Sequence, residues 1–547
     1  MMFPYLRSHF PRIAFWLFLG LIALAAVWTL LAATPAGVGL ANDSAAYIGG
    51  ARGLLDGRGY SDVWLDSALE PITHYPPFYS LTLAVVGKLA GLDPIRAARL
   101  VQVILWGMNA FLIGLFGWRM TKSQVAGGIL AALFAANGAL LRIHAVALSE
   151  GLFIFWTLVS FLLFDTYHRN GSGMPPGAGR WFNFFDEKRP QKRLLLLALA
   201  GCAVGFSYLT RYTGLAVLAT LMVAAFLLQD AWKQRFRDAG IVLAGALPWM
   251  AAWHIRNLVL AGNATNRNTS WHPVTIMNIQ LGVFNLTDFL FPLDGWRQAL
   301  MKSGLAGGLL ILLGTGILAW VTVTGLKSLK DPVVGRTYVL AFVSALYIFG
   351  YLAAVFSSMS LFDASTKFQP RILSPVYVSL LTLAVALGAW LWSRRKPALQ
   401  VLLAVLLPAS LILSWVVQFQ AVTAMRESAP GYASWKWRDS KVLAAVKDLP
   451  VDTIIYTNSP PAIYLITGRA SRVIPSLVDP VDGQVRGGYQ KSLDIFRKDM
   501  RTGAVLVLFD LQDSEEDLAG GNWNELIDGL AVSLKVGNDY IYVQEER

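Results

Sequence analysis

Charge is scarce in this chain. Of 547 residues only 15% are Asp, Glu, Lys or Arg and 55% are hydrophobic, whereas a soluble protein carries about a quarter of its residues charged. Cysteine is nearly missing: the one cysteine, Cys202, excludes an intrachain disulfide and leaves no cysteine zinc site or iron–sulfur centre. No Walker loop, dinucleotide fingerprint, HExxH or GxSxG element in the right context is present, so ATP-driven or nucleotide-sugar chemistry has no visible support. Solenoid-length repeats and low-complexity tracts are absent as well.

What is abundant is apolar sequence in stretches near twenty residues, the length that crosses a bilayer as a helix. Eleven spans are predicted: Ile13–Ala33, Leu100–Trp118, Val125–Leu141, Gly151–Tyr167, Leu194–Leu209, Thr213–Leu228, Ile241–Leu260, Ala306–Leu326, Tyr338–Phe356, Ser374–Trp392 and Leu399–Val417. The first is too long for a signal-peptide core and reads as a retained helix. The net charge of +12 sits in short connections, which points to the positive-inside rule and away from nucleic acid. With the N-terminus in the cytoplasm, alternate connections are basic. They carry Arg119 and Lys122; Lys188, Arg189, Lys192 and Arg193; Lys233, Arg235 and Arg237; Lys327, Lys330 and Arg336; and Arg394, Arg395 and Lys396. Counting Phe78–Leu92 as a span would reverse that agreement, so it is predicted to lie at the outer interface or re-enter. Leu194–Leu228 must turn back near Thr210-Arg211-Tyr212. Asn170–Gly179 reads as a mobile cytoplasmic loop.

From about Gln418 the charge density rises. Short β-rich runs at Thr453–Tyr456, Ala504–Phe509 and Asp539–Val543 alternate with helix-like stretches at Pro461–Thr467, Tyr489–Met500 and Trp523–Leu530. The expectation is a polytopic α-helical membrane protein, residues 1–417, with a small extracytoplasmic α/β domain over 418–547. The outer loop 35–99 holds the acids Asp43, Asp56, Asp62, Asp66 and Glu70. Cations near span ends on the same face are Arg142, His144, Arg211, His254, Arg256, Lys367 and Arg371. As a set they suit a phosphate or pyrophosphate ligand, because guanidinium binds phosphate oxygens in pairs; singly, each also reads as a snorkelling or structurally paired cation. Asn42-Asp43-Ser44 ahead of Ala45–Leu55 is N-cap chemistry, and such a position also keeps a carboxylate ionised for use as a base. Glu150 reads as a second catalytic-site acid, a metal or acceptor contact, or another cap.

The order Asn42-Asp43-Ser44-x-x-Tyr47, then Tyr75-Pro76-Pro77-Phe78-Tyr79, then Ala97-Ala98-Arg99-Leu100 resembles GT-C-type glycosyltransferases. It is most similar to the bacterial branch of the protein O-mannosyltransferase superfamily, which includes the aminoarabinose transferases acting on lipid A. Later similarities are Leu209-Thr210-Arg211-Tyr212-Thr213-Gly214, Pro248-Trp249 with Arg256-Asn257, and Arg371 with Ser374-Pro375. The resemblance implies an inverting enzyme of the bacterial inner membrane, taking a sugar from a polyprenyl-phosphate donor to a lipid, glycan or protein acceptor. It implies Asp43 as general base, Arg211, Arg256 and Arg371 with Lys367 behind them as phosphate binders, and Tyr47, His74, Tyr75 and Tyr212 around the substrate. Metal use varies in that family, which leaves a divalent cation, Mg or Mn, open. Two departures bear on donor and acceptor: His74-Tyr75 stands where some relatives carry an acidic or basic pair, and Asn42-Asp43 where protein mannosyltransferases have two acids. A lipid-diphosphate polymerase or ligase, and a transporter or flippase of lipid-linked substrates, are the alternatives.

Overall fold

The computed structural model describes residues 2–66, 69–169, 190–264, 269–290, 293–363, 366–478, 485–511 and 523–545, without the side chains of 2–12, 190–192 and 523. The predicted loop Asn170–Gly179 and the basic residues Lys188 and Arg189 lie outside them. The chain is built of α1 (Met2–Ala33), α2 (Asn42–Leu55), α3 (Phe78–Ala90), α4 (Pro94–Thr121), α5 (Gln124–Ala135), α6 (Gly138–His144), α7 (Glu150–Arg169), α8 (Pro190–Thr210) and α9 (Gly214–Leu227). It continues through α10 (Trp232–Ala261), α11 (Ile276–Leu290), α12 (Asp294–Lys302), α13 (Leu305–Lys330), α14 (Pro332–Thr337), α15 (Val339–Leu361), α16 (Pro370–Ser393) and α17 (Pro397–Glu427). All eleven predicted spans are helical. Among the described residues eight helices are long and apolar enough to cross a bilayer, or nine if α5 and α6, bent by 63° at Asn137, are one span. The two left over are α9, with only 14 residues, and α10, whose C-terminal half is diluted by His254, Arg256 and Asn257. The stretch predicted to lie at the interface is the short helix α3, begun after Pro77 and closed by Gly91 in the left-handed conformation.

Many outward faces are apolar: Trp28, Ile311 and Trp415 are each about seven-tenths exposed, as lipid-facing side chains are. Several polar residues turn inward and donate to backbone carbonyls. Gln102 of α4, fully buried, donates to the carbonyls of Val146 and Leu148 at 2.9 and 2.6 Å, and Asn109 donates to Gly151 O at 2.9 Å. These bonds fix the connection between α6 and α7, which has no helix of its own to satisfy its carbonyls.

The C-terminal region carries α18 (Trp435–Arg438), α19 (Lys441–Asp448), β1 (Ile455–Thr457), α20 (Pro460–Thr467), β2 (Arg472–Val473), α21 (Tyr489–Arg501), β3 (Val505–Leu508), α22 (Trp523–Ile527), β4 (Leu530–Val536) and β5 (Asp539–Gln544). The sheet order is β2-β1-β3-β5-β4, parallel among β2, β1 and β3 and antiparallel at β5 and β4. α17 runs ten residues past Val417, so the sheet region hangs from the end of that helix. The predicted helix at Trp523–Leu530 is shorter than expected, because Leu530 already begins the edge strand β4.

One short segment joins the parts. Gly39 donates to Ala145 O at 2.7 Å and accepts from Ala147 N at 2.9 Å, while Leu40 donates to Pro430 O and accepts from Tyr432 N at 2.8 Å. The backbone before α2 is thus held between the one before α7 and the one after α17. Gly431 has φ +64°, and an added Cβ there would stand 2.1 Å from Leu40 O, so only glycine allows that approach.

Candidate active site

The pairing of residues 39–40 with 145–147 sets the first turns of α2 and α7 side by side. Ser44 Oγ strengthens the alignment, accepting from Ala41 N and donating to Ala147 O, each at 2.9 Å. The expected cap is therefore supplied by Ser44, and the Asp43 carboxylate is left for other partners. It faces Arg371, in the first turn of α16, which Pro370 starts: Nη1 donates to Oδ2 at 2.5 Å. Tyr75 OH donates to Oδ1 at 3.1 Å. Glu150, the first residue of α7 and 2% exposed, accepts from Arg211 Nη1 at 2.6 Å and lies 4.0 Å from Arg371 Nη1. Arg211 sits in the tight turn between α8 and α9, as the charge pattern required, and also donates to Ser149 Oγ at 3.2 Å. Tyr47 OH shares that serine at 3.0 Å and sets its ring edge-on to Tyr75.

Two carboxylates and two guanidiniums from four places in the chain thus alternate in one cluster. Nη2 of Arg211 and of Arg371 makes no hydrogen bond among the described residues, nor does the buried Glu150 Oε2. Burial alone would push the Asp43 pKa up. Arg371, by charge and hydrogen bond, outweighs it together with Arg211 and Tyr75, and the carboxyl is held below its ordinary value of 3.8. Burial and the neighbouring Asp43 push the Tyr75 phenol up, so it stays a donor at neutral pH.

Other predicted site residues lie elsewhere. Arg256 is spent on the outer loop: Nη1 donates to Ile72 O at 2.6 Å and Nη2 to Tyr60 O at 2.8 Å, beneath the Trp253 and Tyr60 rings. Tyr212 donates to Thr73 O at 2.8 Å and accepts from Trp253 Nε1 at 2.9 Å. Both clamp the 60–75 segment that carries Tyr75 by bonding its backbone carbonyls at Tyr60, Ile72 and Thr73. Arg256→Ala should cost about 1.5–3 kcal/mol through its charged hydrogen bonds and speed protease cleavage within 56–75, with lipid-phosphate affinity unchanged. Lys367 is exposed and makes no ion pair among the described residues. His74 packs its ring edge against Tyr75 at 5.0 Å. Asp66, with its side chain 42% exposed, pairs with Arg472 of β2 at 2.9 Å.

Sequence reasoning missed Ser149, Gln369 and Tyr432. Gln369 Oε1 accepts from Arg371 Nε at 3.1 Å, and Tyr432 OH donates to Asn42 Oδ1 beside Asp43. Proximity to Glu150 and Arg371 was the only signal for the first two; Tyr432 arrives from nearly 400 residues away and gave none.

No group of three His, Cys, Asp or Glu side chains fit for a metal is found among the described residues, and both acids of the cluster already pair with arginine. These residues do not fit a dedicated Mg or Mn site.

A bundle with short helices at one end and a domain hung from the last helix is the GT-C fold. The structure matches that of the Archaeoglobus fulgidus oligosaccharyltransferase tethered to an acceptor peptide, with TM-score 0.56 and 13% identity over 96% of this chain and 74% of that one. It matches ArnT from Cupriavidus metallidurans in the apo state with TM-score 0.52 and 14% identity, over 96% and 97%. The same ArnT bound to undecaprenyl phosphate matches with TM-score 0.52 and 12% identity over the same shares. The sequence profile of the dolichyl-phosphate-mannose-protein mannosyltransferase family matches residues 71–261, which takes in Tyr75, Glu150 and Arg211 and leaves out Asp43 and Arg371. Among curated proteins no sequence match is found.

Proposed function

We propose that the protein is an inverting membrane glycosyltransferase that moves a sugar from polyprenyl phosphate to an acceptor hydroxyl on the outer face of a bacterial plasma membrane. The observation that carries this reading is the Asp43–Arg371 and Glu150–Arg211 cluster at one end of a GT-C bundle. The profile match and the undecaprenyl phosphate bound by ArnT support a lipid-phosphate donor.

Asp43 takes the proton of the acceptor hydroxyl while that oxygen attacks the anomeric carbon. The bond from that carbon to the phosphate oxygen breaks, and its electron pair leaves with the polyprenyl phosphate. Arg211 and Arg371, with Nη2 free, meet the phosphate where charge develops. A phosphate so held needs no strong acid partner. Glu150 positions Arg211 rather than touching substrate.

In the free protein Arg371 occupies Asp43. A donor phosphate competes for that guanidinium, and its arrival releases the base. The test is transfer from radiolabelled polyprenyl-phosphate sugars in proteoliposomes, inhibited by unlabelled polyprenyl phosphate. Transfer from none of the sugars, or none inhibited by the lipid, rules the reading out.

The ion pair also sets a pH dependence. Asp43 is depressed in the free protein, so kcat/KM, which reports free enzyme, should stay on its plateau down to below 3.8. With Arg371 drawn to the donor, the acid limb of kcat should lie at higher pH. Stability linked to Asp43 has the matching sign: it is present above the unfolded carboxylate value and is lost as pH falls through the lower folded one. Coincident limbs would mean that Arg371 does not leave.

A further inference from the structure

At the end of the bundle opposite the Asp43 cluster, α7, α8, α10 and α14 enclose a polar cavity of about 280 Å³. The helices themselves define the opposition: α7 begins at Glu150 and ends beside this cavity, and α8 begins at it and ends before Arg211. Its walls bring three guanidiniums together from three elements, Arg193 of α8, Arg237 of α10 and Arg336 of α14. One lining carboxylate, Asp230, pairs with Arg336 at 2.8 Å; Asp238, behind the wall, pairs with Arg237 at 2.8 Å.

Arg193 is left over. Its guanidinium lies 5.3 Å from the Tyr167 ring centre, has only a 3.5 Å bond to Tyr167 O, and carries no carboxylate partner among the described residues. Its Nε is buried and unbonded. His168, on the same wall and 3% exposed, has an unbonded Nε2. Burying two such groups without partners is costly unless something else meets them. Tyr167, Gln229 and Asp238 bond one another and hold the floor of the cavity rigid.

We propose that this cavity binds a phosphoryl anion, with Arg193 and His168 as its dedicated contacts and Arg237 and Arg336 at its rim. The uncommitted fork of Arg193, with the charges of Arg237 and Arg336 at the rim, suits an anion with several oxygens such as a phosphate. Either a soluble phosphate compound or the headgroup of an anionic phospholipid supplies that chemistry.

The experiment uses the full chain in phosphatidylcholine nanodiscs and follows its thermal unfolding. In one arm inorganic pyrophosphate is titrated; in the other, phosphatidylglycerol replaces part of the lipid. A ligand of the folded state raises Tm. A rise with pyrophosphate identifies a soluble ligand, and a rise with phosphatidylglycerol alone identifies a headgroup. Arg193→Gln should weaken the response at least tenfold in ligand concentration, while Lys233→Gln, an exposed cation of the same end, should leave it intact. Arg193→Lys, which keeps the charge and loses the fork, should fall between them and serves if Arg193→Gln does not fold. No rise in either arm overturns the proposal. So does a rise that survives substitution of Arg193, which belongs to Arg211 and Arg371 or to surface charge.

Discussion

Asp43→Asn is expected to lower sugar transfer by about 10²–10⁴-fold, the usual contribution of a positioned general base, in a protein that folds and inserts normally. The amide keeps the shape of the carboxylate and can still accept from Tyr75. Its pairing with Arg371 is partly open, with side chains 23% and 29% exposed, so loss of the charge costs little stability. Arg371 retains Glu150 at 4.0 Å as a counter-charge. Donor binding should be unchanged or tighter, since the guanidinium no longer has to leave an anion to meet phosphate. Turnover measured with a radiolabelled polyprenyl-phosphate sugar, beside the affinity for polyprenyl phosphate, separates these effects. Normal turnover in the folded variant would remove Asp43 from the chemistry; loss of turnover together with loss of donor binding would make it a structural partner of Arg371.

The bundle was legible in the sequence because spanning helices must satisfy their own backbone and turn apolar side chains outward, and twenty-residue periodicity records both demands. The turn at Arg211 was legible for the same reason: basic clusters at both ends of Leu194–Leu228 leave room for nothing but a hairpin. Asp43, Glu150, Arg211 and Arg371 were all picked as charges near helix ends on one face. Sequence could not tell which of those charges face one another. Arg256 and Arg371 look alike in the chain, yet the last turns of α10 aim one at the carbonyls of Ile72 and Tyr60, and Pro370 starts the helix that aims the other at Asp43. Tyr432 depends on the backbone pairing of Leu40 with residues 430–432, a long-range contact with no local pattern.

The Arg211→Gln variant should show the largest stability change. It removes the 2.6 Å partner of a carboxylate that is 2% exposed and already has one unbonded oxygen. Breaking a buried pair from one side costs about 3–5 kcal/mol because an uncompensated charge remains. Arg371, 4.0 Å from Glu150, limits the loss to the lower end of that range. The same substitution draws Arg371 toward Glu150 and away from Asp43, and removes one of the two guanidiniums meant for the donor phosphate. Polyprenyl-phosphate affinity should therefore fall together with Tm. The double variant Arg211→Gln, Glu150→Gln separates the two losses. With the buried charge gone, most of the stability should return, whereas the affinity should stay low. Thermal unfolding in detergent and lipid-phosphate binding on the same preparations decide the matter. Stability that does not return in the double variant would locate the damage in the α8–α9 turn. Affinity that does return would mean that Arg211 serves Glu150 alone and that Arg371 holds the phosphate without it.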